Sequence, residues 1–344
     1  MSITVREQVS LKEYTTLRVG GAARYFIEVS SVVEIDEAVQ FAKQTELPHL
    51  IIGGGSNLLI SDEGFSGVVI YVQLKGIEYF EISNDEVLLI AQAGENFDEV
   101  ISDSVEKKYS GLENLSAIPG TVGATPVQNV GAYGVEVADL IEVVETYHIS
   151  TGEIKKFSSE MCDFKYRDSF FKTKEGREYV ITSVHFCLRK NIFSPKINYA
   201  DLKKIFGENI PTLTEVREAV INIRSKKFPD WHKVGTAGSF FKNPVINTDV
   251  AESLQVCFPE LPIYKMNDNQ AKVSLGYILD KVCNLKGYRD NKVGLFINQA
   301  LVLVNYDGAN SKEIADFAKQ IKEKVFEMTK IKIEPEVRYI ENNN

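Results

Sequence analysis

Short apolar runs separated by polar turns fill the first half of the chain, and this pattern predicts a strand-rich region with few helices. Strands are predicted at residues 24–29, 49–52, 67–74, 78–82, 87–92, 141–148 and 179–188. One helix is predicted after Ser31, a candidate N-cap, because apolar residues then recur at helical spacing. These apolar residues are Val33, Ile35, Ala38, Val39 and Ala42.

Helical signals become stronger further along the chain. Asn96 is predicted to cap a helix over residues 97–108, and Thr212 with Glu215 forms a capping box for a helix that ends near Lys227. The elements predicted after it are a strand at 239–242, a helix at 274–283, a strand at 300–305, a helix at 312–328 and a strand at 331–340. This mixture predicts an α+β fold with a domain boundary between residues 205 and 230.

The charge of the chain narrows the possible partners. The 344 residues include 39 basic and 48 acidic side chains, which gives a net charge of −9. Because Lys and Arg drive binding to phosphate backbones, this charge argues against nucleic acid and anionic membranes as partners. No apolar run is long enough to span a bilayer and the N-terminus is polar, so we expect a cytoplasmic protein.

The cysteines and histidines show no spacing that is typical of a metal site. None of the four histidines stands at metal-site spacing from a cysteine or from another histidine, and no Cys-x-x-Cys pair occurs. We therefore interpret Cys162, Cys187, Cys257 and Cys283 as reduced core thiols, and we expect no metal.

Two glycine-rich segments are candidate ligand-binding loops. Residues 53–58 read Gly-Gly-Gly-Ser-Asn-Leu, and their amides can form a nest for a diphosphate, although a plain turn explains so short a segment equally well. Residues 111–134 hold many glycines, little charge and no strand or helix period. A connection of this length is uncommon, so the wrapping of a large ligand explains it better than a structural loop. This second segment is neither a Rossmann motif nor a P-loop motif.

The two loops belong to an ordered series of motifs that covers nearly the whole chain. The later motifs are YRDSFFK (166–172), KFPD (227–230), GTAGSFFKNP (235–244) and EPEVRYI (334–340). The series resembles the UDP-N-acetylenolpyruvoylglucosamine reductase (MurB) family, and Tyr199 lies where the longer subtype of that family carries a tyrosine loop. Departures occur at Ala124-Thr125, at Trp231 and in the segment 14–17, and they affect details of flavin contact only.

The resemblance implies an FAD-binding domain of the vanillyl-alcohol-oxidase (PCMH) type, followed by a C-terminal α/β substrate-binding domain. Residues 1–72 and 73–215 would be two FAD-binding subdomains and residues 216–330 the substrate domain, with 331–344 as a candidate to return to the first subdomain. The implied enzyme uses NADPH and FAD to reduce UDP-N-acetylglucosamine-enolpyruvate to UDP-N-acetylmuramate. We expect the FAD to be non-covalent, because neither glycine-rich loop contains His or Cys, and the protein to be monomeric.

The resemblance also implies roles for individual residues. Ser239 would donate a proton, Arg167 would bind the substrate carboxylate and Glu336 would lie near the developing charge. The implied cofactor contacts are Gly53, Gly54, Gly55, Ser56, Asn57, Ile118, Pro119, Gly120, Thr121 and Gly123. The implied substrate contacts are Tyr133, Tyr199, Lys227, Asn243, Tyr264, Lys272 and Gln299.

The residues taken alone leave other interpretations open. Ser239 is also typical of a turn, Arg167 of a surface ion pair, and a single lysine of a solvated surface. Strand alternation does not separate Glu336 from Glu334, since the two are two positions apart. A non-covalent FAD oxidoreductase for an alcohol or sugar is the alternative enzyme, and a flavin or nucleotide sensor without catalysis is the alternative outside enzymes.

Overall fold

The computed structural model describes residues 3–191 and 193–342. The strands are β1 Val5–Ser10, β2 Ala22–Val29, β3 His49–Ile52, β4 Leu58–Ile60, β5 Phe65–Val72, β6 Ile77–Glu81, β7 Glu86–Gln92, β8 Gly131–Ala132, β9 Val135–Glu136, β10 Ile141–His148, β11 Ile154–Ser158, β12 Tyr179–Arg189, β13 Gly235–Ser239, β14 Val245–Asn247, β15 Ile263–Lys265, β16 Gln270–Val273, β17 Arg289–Asp290, β18 Val293–Phe296, β19 Gln299–Asn305 and β20 Arg338–Ile340. The α-helices are α1 Val32–Gln44, α2 Phe97–Glu106, α3 Ala200–Phe206, α4 Leu213–Lys227, α5 Thr248–Cys257, α6 Leu275–Tyr277 and α7 Ser311–Thr329.

Two sheets share one hydrophobic core in the first half of the chain. The first sheet has the order β1-β2-β5-β3, and the second has the order β11-β10-β12-β7-β6. Buried residues of β2, β5, β7 and β12 meet α1 and α2 in this core. The opposite face of the first sheet is covered by β4 and by β20, which pair in parallel. The last strand therefore packs against the beginning of the fold.

The second half of the chain forms two further sheets and a second core. Their orders are β13-β19-β18-β17 and β14-β16-β15, and every neighbouring pair in them is antiparallel. The core between these strands and α7 also includes Leu17 and Leu59 from the first half. In the part of the chain described here, no helix combines the length and apolar character needed to cross a membrane.

Local capping signals explain where the main helices begin. The hydroxyl of Ser31 accepts a hydrogen bond from Glu34 N, and Asn96 Oδ1 accepts from the amides of Asp98 and Glu99. Thr212 and Glu215 form the reciprocal capping box at the start of α4. The predictions for α1, α2 and α4 are confirmed, although Val33 on α1 is exposed rather than buried.

Two predicted strands are wrong in their bounds. The strand predicted at 239–242 lies at Gly235–Ser239 instead, because Gly235 and Thr236 already pair with Asn305 and Val304 of β19, and Phe241 beyond the strand forms an isolated bridge with Pro335. The strand predicted at 331–340 is limited to β20, and residues 331–337 run without regular pairing. Pro335 lacks an amide donor, and buried Ile331 and Ile333 fix this segment by packing. The helix predicted at 274–283 contains a π-helix at Ile278–Val282.

The four cysteines are free thiols, and Cys257 is exposed, so its interpretation as a core thiol is wrong. We expect Ellman's reagent to modify Cys257 quickly in the native protein and to reach buried Cys162 and Cys283 only on unfolding. Burial raises the pKa of Cys162 to about 12 and raises the pKa of Cys283, so little of the reactive thiolate exists at mildly alkaline pH. The variant Cys257→Ser should lose the fast reaction, and fast labelling of a buried thiol would contradict the packing.

Candidate active site

A partly buried ion pair joins two of the predicted catalytic residues. Arg167 Nε lies 3.1 Å from Glu336 Oε1, and the two side chains are 20% and 12% exposed. Arg167 sits in a tight turn with φ +55°, and its remaining nitrogens donate to the carbonyl of Asn129 at 3.3 Å and to that of Gly131 at 2.7 Å. The guanidinium is therefore held in one orientation by three contacts.

The surroundings of Glu336 are cationic. Burial raises the pKa of Glu336, and the nearby charges of Arg167, Lys172 and Lys242 act in the opposite direction. Lys172 Nζ also donates to the carbonyl of Arg167 at 2.6 Å, which supports the turn. Glu334 is exposed, whereas Glu336 faces Arg167. In a regular strand the two side chains would share one face, and the irregular backbone at 331–337 explains why their surroundings differ.

Ser239 directly precedes the residue whose carbonyl binds the backbone of Glu336. It is the last residue of β13, and the carbonyl of the next residue, Phe240, accepts a hydrogen bond of 2.8 Å from Glu336 N. Phe240 and Phe241 are buried, while Ser239 is half-buried. Among the described residues, the Ser239 hydroxyl makes no hydrogen bond, so it is available to a ligand.

The two glycine-rich segments pack directly against each other. A Cβ on Gly53 would lie 2.4 Å from Thr121 Oγ1, and a Cβ on Gly54 would lie 2.9 Å from the Cα of Gly120. Gly120 has φ +127°, and a side chain there would meet Ser56 Oγ at 2.8 Å. Only glycine permits this approach.

Backbone amides in the first segment are available as donors. Gly54, Gly55 and Ser56 lie between β3 and β4, and their N–H groups have no hydrogen-bond acceptor among the described residues. Successive unpaired amides of this kind suit a phosphate anion. The side chain of Asn57 binds other parts of the protein: its amide donates to Gln128 Oε1 at 2.6 Å and to the carbonyl of Glu336 at 3.1 Å. Asn57 thus links the glycine loop to the ion pair.

The predicted substrate residues form two groups. In the first, the rings of Tyr133 and Tyr199 meet edge to face at 5.3 Å, and Lys227 pairs with Asp201. Burial raises the pKa of Tyr133 to about 12, although the nearby cation Arg224 opposes the shift.

In the second group, Lys272 Nζ lies 4.6 Å from the ring centre of Tyr166 and 5.7 Å from that of Tyr264. Burial lowers the pKa of Lys272. Asn243 Oδ1 accepts a hydrogen bond from Leu275 N at 2.9 Å, and its neighbourhood includes the Tyr166 hydroxyl.

Gln299 stands apart from both groups. Its Oε1 accepts a hydrogen bond of 3.4 Å from Leu301 N and lies near Gly276, at the start of β19. The remaining predicted cofactor residues, Ile118, Pro119 and Gly123, lie in the second glycine-rich segment, where Gly123 N donates to the carbonyl of Ala93.

Sequence reasoning missed several charged residues of the site. Lys172 and Lys242 lie inside the quoted motifs YRDSFFK and GTAGSFFKNP, and Arg224 lies three positions before Lys227 on α4. The signal that could have identified them is a basic side chain within a few positions of a residue already predicted to belong to the site. No group of three or more His, Cys, Asp or Glu side chains suited to a metal ion occurs within residues 3–191 and 193–342.

Comparisons with known proteins agree with this arrangement. Residues 23–158 match the FAD binding domain, and residues 230–340 match the C-terminal domain of UDP-N-acetylenolpyruvoylglucosamine reductase. A protein of that name from Flavobacterium johnsoniae is 39% identical over 98% of this chain and 99% of its own length. The one from Pseudomonas fluorescens is 38% identical over the same shares.

Solved structures give the same result. The crystal structure of the Thermus caldophilus UDP-N-acetylenolpyruvylglucosamine reductase aligns with a TM-score of 0.69 and 25% identity, over 98% of this chain and 99% of that one. A Physcomitrella patens BBE-like protein aligns with a TM-score of 0.51 and 12% identity, and it shares the fold alone. The fold is therefore a PCMH-type FAD-binding domain followed by the reductase C-terminal domain, and the chain belongs to the UDP-N-acetylenolpyruvoylglucosamine reductase family.

Proposed function

We propose that this protein reduces UDP-N-acetylglucosamine-enolpyruvate to UDP-N-acetylmuramate, with FAD as cofactor and NADPH as the source of hydride. The observation that carries the proposal is that Ser239, whose hydroxyl makes no hydrogen bond among the described residues, directly precedes Phe240, and the carbonyl of Phe240 binds the backbone amide of Glu336 in the partly buried Arg167–Glu336 pair. The product would serve peptidoglycan synthesis, on which cell shape and cell division depend, and the proposal includes a cytoplasmic, monomeric enzyme.

The glycine-rich segments fit FAD. Gly54, Gly55 and Ser56 would direct their unpaired amides at the diphosphate, and the segment from Ile118 to Gly123 would form the facing wall. Bound FAD supplies hydride transfer, whereas the protein supplies orientation and electrostatic stabilisation. The absence of His and Cys from both segments agrees with non-covalent binding.

Arg167 has a chemical task in this proposal. Its three protein contacts fix the plane of the guanidinium and leave further N–H groups free for the carboxylate of the substrate. Addition of hydride to the methylene carbon places negative charge on the adjacent carbon and its carboxylate. A fixed cation at that position stabilises the charge as it develops.

Ser239 and Glu336 would complete the reduction. The Ser239 hydroxyl gives its proton to the carbon next to the carboxylate, so hydride and proton together saturate the double bond. Burial raises the pKa of Glu336, so uptake of a proton would release this side chain from its ion pair with Arg167 and let it donate a hydrogen bond to the developing enolate. Lys172 and Lys242 keep the surroundings positive for an anionic substrate.

Recognition of the sugar nucleotide would use the two groups of polar and aromatic residues. Lys227 and Lys272 provide positive charge for the diphosphate, which an acidic protein needs locally. Tyr133, Tyr199 and Tyr264 offer rings and hydroxyls for the nucleoside, while Asn243 and Gln299 offer amides.

The alternative is a flavoprotein of the same fold that oxidises an alcohol or a sugar. Membership of the reductase family and the Ser239, Arg167 and Glu336 combination favour the reductase over it, and over a sensor without catalysis. Oxidation of an alcohol needs no proton donor beside a carboxylate-binding arginine.

An anaerobic absorbance experiment tests the proposed function. We expect the purified protein to hold oxidised flavin, to bleach with NADPH, and to recover its spectrum rapidly on addition of UDP-N-acetylglucosamine-enolpyruvate. UDP-N-acetylglucosamine, which lacks the enol ether, is the matched control and should not restore the colour. Bleaching without recovery would reject this substrate and direct the search to another acceptor, and a protein that binds no flavin would reject the whole proposal.

A further inference from the structure

Ala117 has a backbone conformation that alanine rarely adopts. Its φ is +59°, and it immediately precedes the segment from Ile118 to Gly123 that faces the first glycine loop. A residue with a Cβ is strained at positive φ, so surrounding contacts must hold it there. Both polar groups of its backbone are held by charged side chains.

The amide of Ala117 is bound by a carboxylate from α2. Its N–H donates to Asp98 Oδ1 at 2.6 Å. Asp98 is the second residue of α2, and its own amide donates to the Asn96 cap at 3.0 Å. The carboxylate is thus fixed at the start of a helix.

Helix α4 completes the arrangement from the other side. Arg217 donates to both oxygens of Asp98, at 2.6 Å and 3.1 Å, and its side chain is only 13% exposed. Arg224, two helical turns further along α4, donates from Nε to the carbonyl of Ala117 at 3.2 Å. The same helix ends at Lys227, one of the proposed substrate residues.

We propose that Asp98 and Arg217 are positioning residues that hold Ala117 in its left-handed conformation and so shape the second glycine-rich segment for FAD. We call these two residues the Asp98–Arg217 latch. Both carboxylate oxygens of Asp98 are occupied by protein donors, so the latch acts through Ala117 rather than by touching the cofactor. Because α4 also carries Lys227, the latch couples the flavin segment to substrate binding, a consequence that rests on the proposed function.

Strain at Ala117 makes the latch testable by rescue. In Asp98→Leu, the Ala117 amide loses its acceptor, and the segment can relax to a negative φ that no longer fits the cofactor. Glycine adopts positive φ without the Cβ penalty. The second change Ala117→Gly should therefore restore the shape of the segment without restoring the carboxylate. Asp98→Asn keeps an oxygen acceptor for the amide and should keep that shape as well.

The experiment measures the affinity of the apoprotein for FAD by flavin fluorescence. We expect Asp98→Leu to weaken FAD binding about tenfold, the usual consequence of losing a hydrogen bond to a charged group. We expect Asp98→Asn to bind nearly as the wild type, and Asp98→Leu with Ala117→Gly to recover most of the loss. The matched control is Asp103→Leu, which removes another paired carboxylate from α2 and should leave the FAD affinity unchanged.

Thermal unfolding of the apoproteins separates positioning from general stability. If Ala117→Gly fails to restore FAD affinity, or if Asp103→Leu weakens FAD binding as much as Asp98→Leu, the latch is overturned. FAD binding is measured without any substrate, so it tests the latch even if the enolpyruvyl substrate is not reduced.

The link to substrate is tested separately in the FAD-saturated holoenzyme. Arg217→Met should raise the KM for the sugar nucleotide more than it lowers kcat, and an unchanged KM would overturn the coupling.

Discussion

Ser239→Ala is expected to leave reduction of the bound flavin by NADPH almost intact and to slow its reoxidation by the enolpyruvyl substrate by about 10²- to 10⁴-fold. The methyl side chain removes the proton donor but preserves the backbone of β13, including the carbonyl of Phe240 that receives Glu336 N. Stopped-flow absorbance resolves the two half-reactions.

The control for this variant is Ser253→Ala on α5, where the hydroxyl donates only to the carbonyl of Asp249 and the side chain is exposed. It should behave as the wild type in both half-reactions. Equal damage by Ser239→Ala to reduction and reoxidation would show that Ser239 has a structural role, and the proton donor would then have to be sought elsewhere.

Arg167→Met is expected to slow reoxidation by the enolpyruvyl substrate by about 10²- to 10³-fold, as loss of a fixed donor to a developing charge does in other enzymes. The change removes both the cation for the substrate carboxylate and the partner of Glu336. Arg167→Lys should recover only part of the rate, because an ammonium cannot reproduce the contacts to Glu336, Asn129 and Gly131 at once. Arg177→Met, at an exposed arginine of the same segment, is the control.

The stability of Arg167→Met should depend on pH in a defined direction. Burial already raises the pKa of Glu336, and loss of the adjacent cation raises it further. A carboxyl whose pKa is higher in the folded state binds more protons there than in the unfolded state, so its contribution to stability is present at low pH and is lost as pH rises. The variant should therefore lose more stability relative to the wild type at alkaline than at mildly acidic pH. A deficit independent of pH would contradict the coupling of Glu336 to Arg167.

A double variant tests whether the two residues act together. Arg167→Met and Glu336→Gln remove opposite members of one ion pair, so their effects on reoxidation should be less than additive. Full additivity would mean that the two side chains act independently and that the contact at 3.1 Å has no chemical consequence.

Local signals in the sequence were sufficient for the parts of the fold that depend on a few neighbouring residues. Ser31, Asn96 and the pair Thr212 and Glu215 determine helix starts because a cap acts within a single turn. The glycines of the two loops are required by close backbone approach, and the motif order carried the family resemblance that the full-length relatives confirm.

Elements governed by distant contacts were harder to predict. The strand expected at 239–242 is displaced to β13 because Gly235 and Thr236 pair with β19, whereas Phe241 pairs with Pro335 near the end of the chain. The strand predicted at 331–340 is regular only in β20, because its extent is determined by pairing with β4, which lies near the start of the chain. The spacing of apolar residues along a segment does not indicate which distant strand that segment pairs with.

The sequence by itself therefore determined the helix caps, the glycine-rich loops, the mixed fold and the family to which the chain belongs. Only the tertiary structure decided that Glu336 rather than Glu334 meets Arg167, that the residue after Ser239 binds the backbone of Glu336, and that Asp98 binds both Ala117 and Arg217. The physical reason is the distance along the sequence over which each interaction acts. Helix capping and the backbone conformations that glycine allows depend on a few neighbouring residues, whereas these contacts join segments that become neighbours only when the two cores pack.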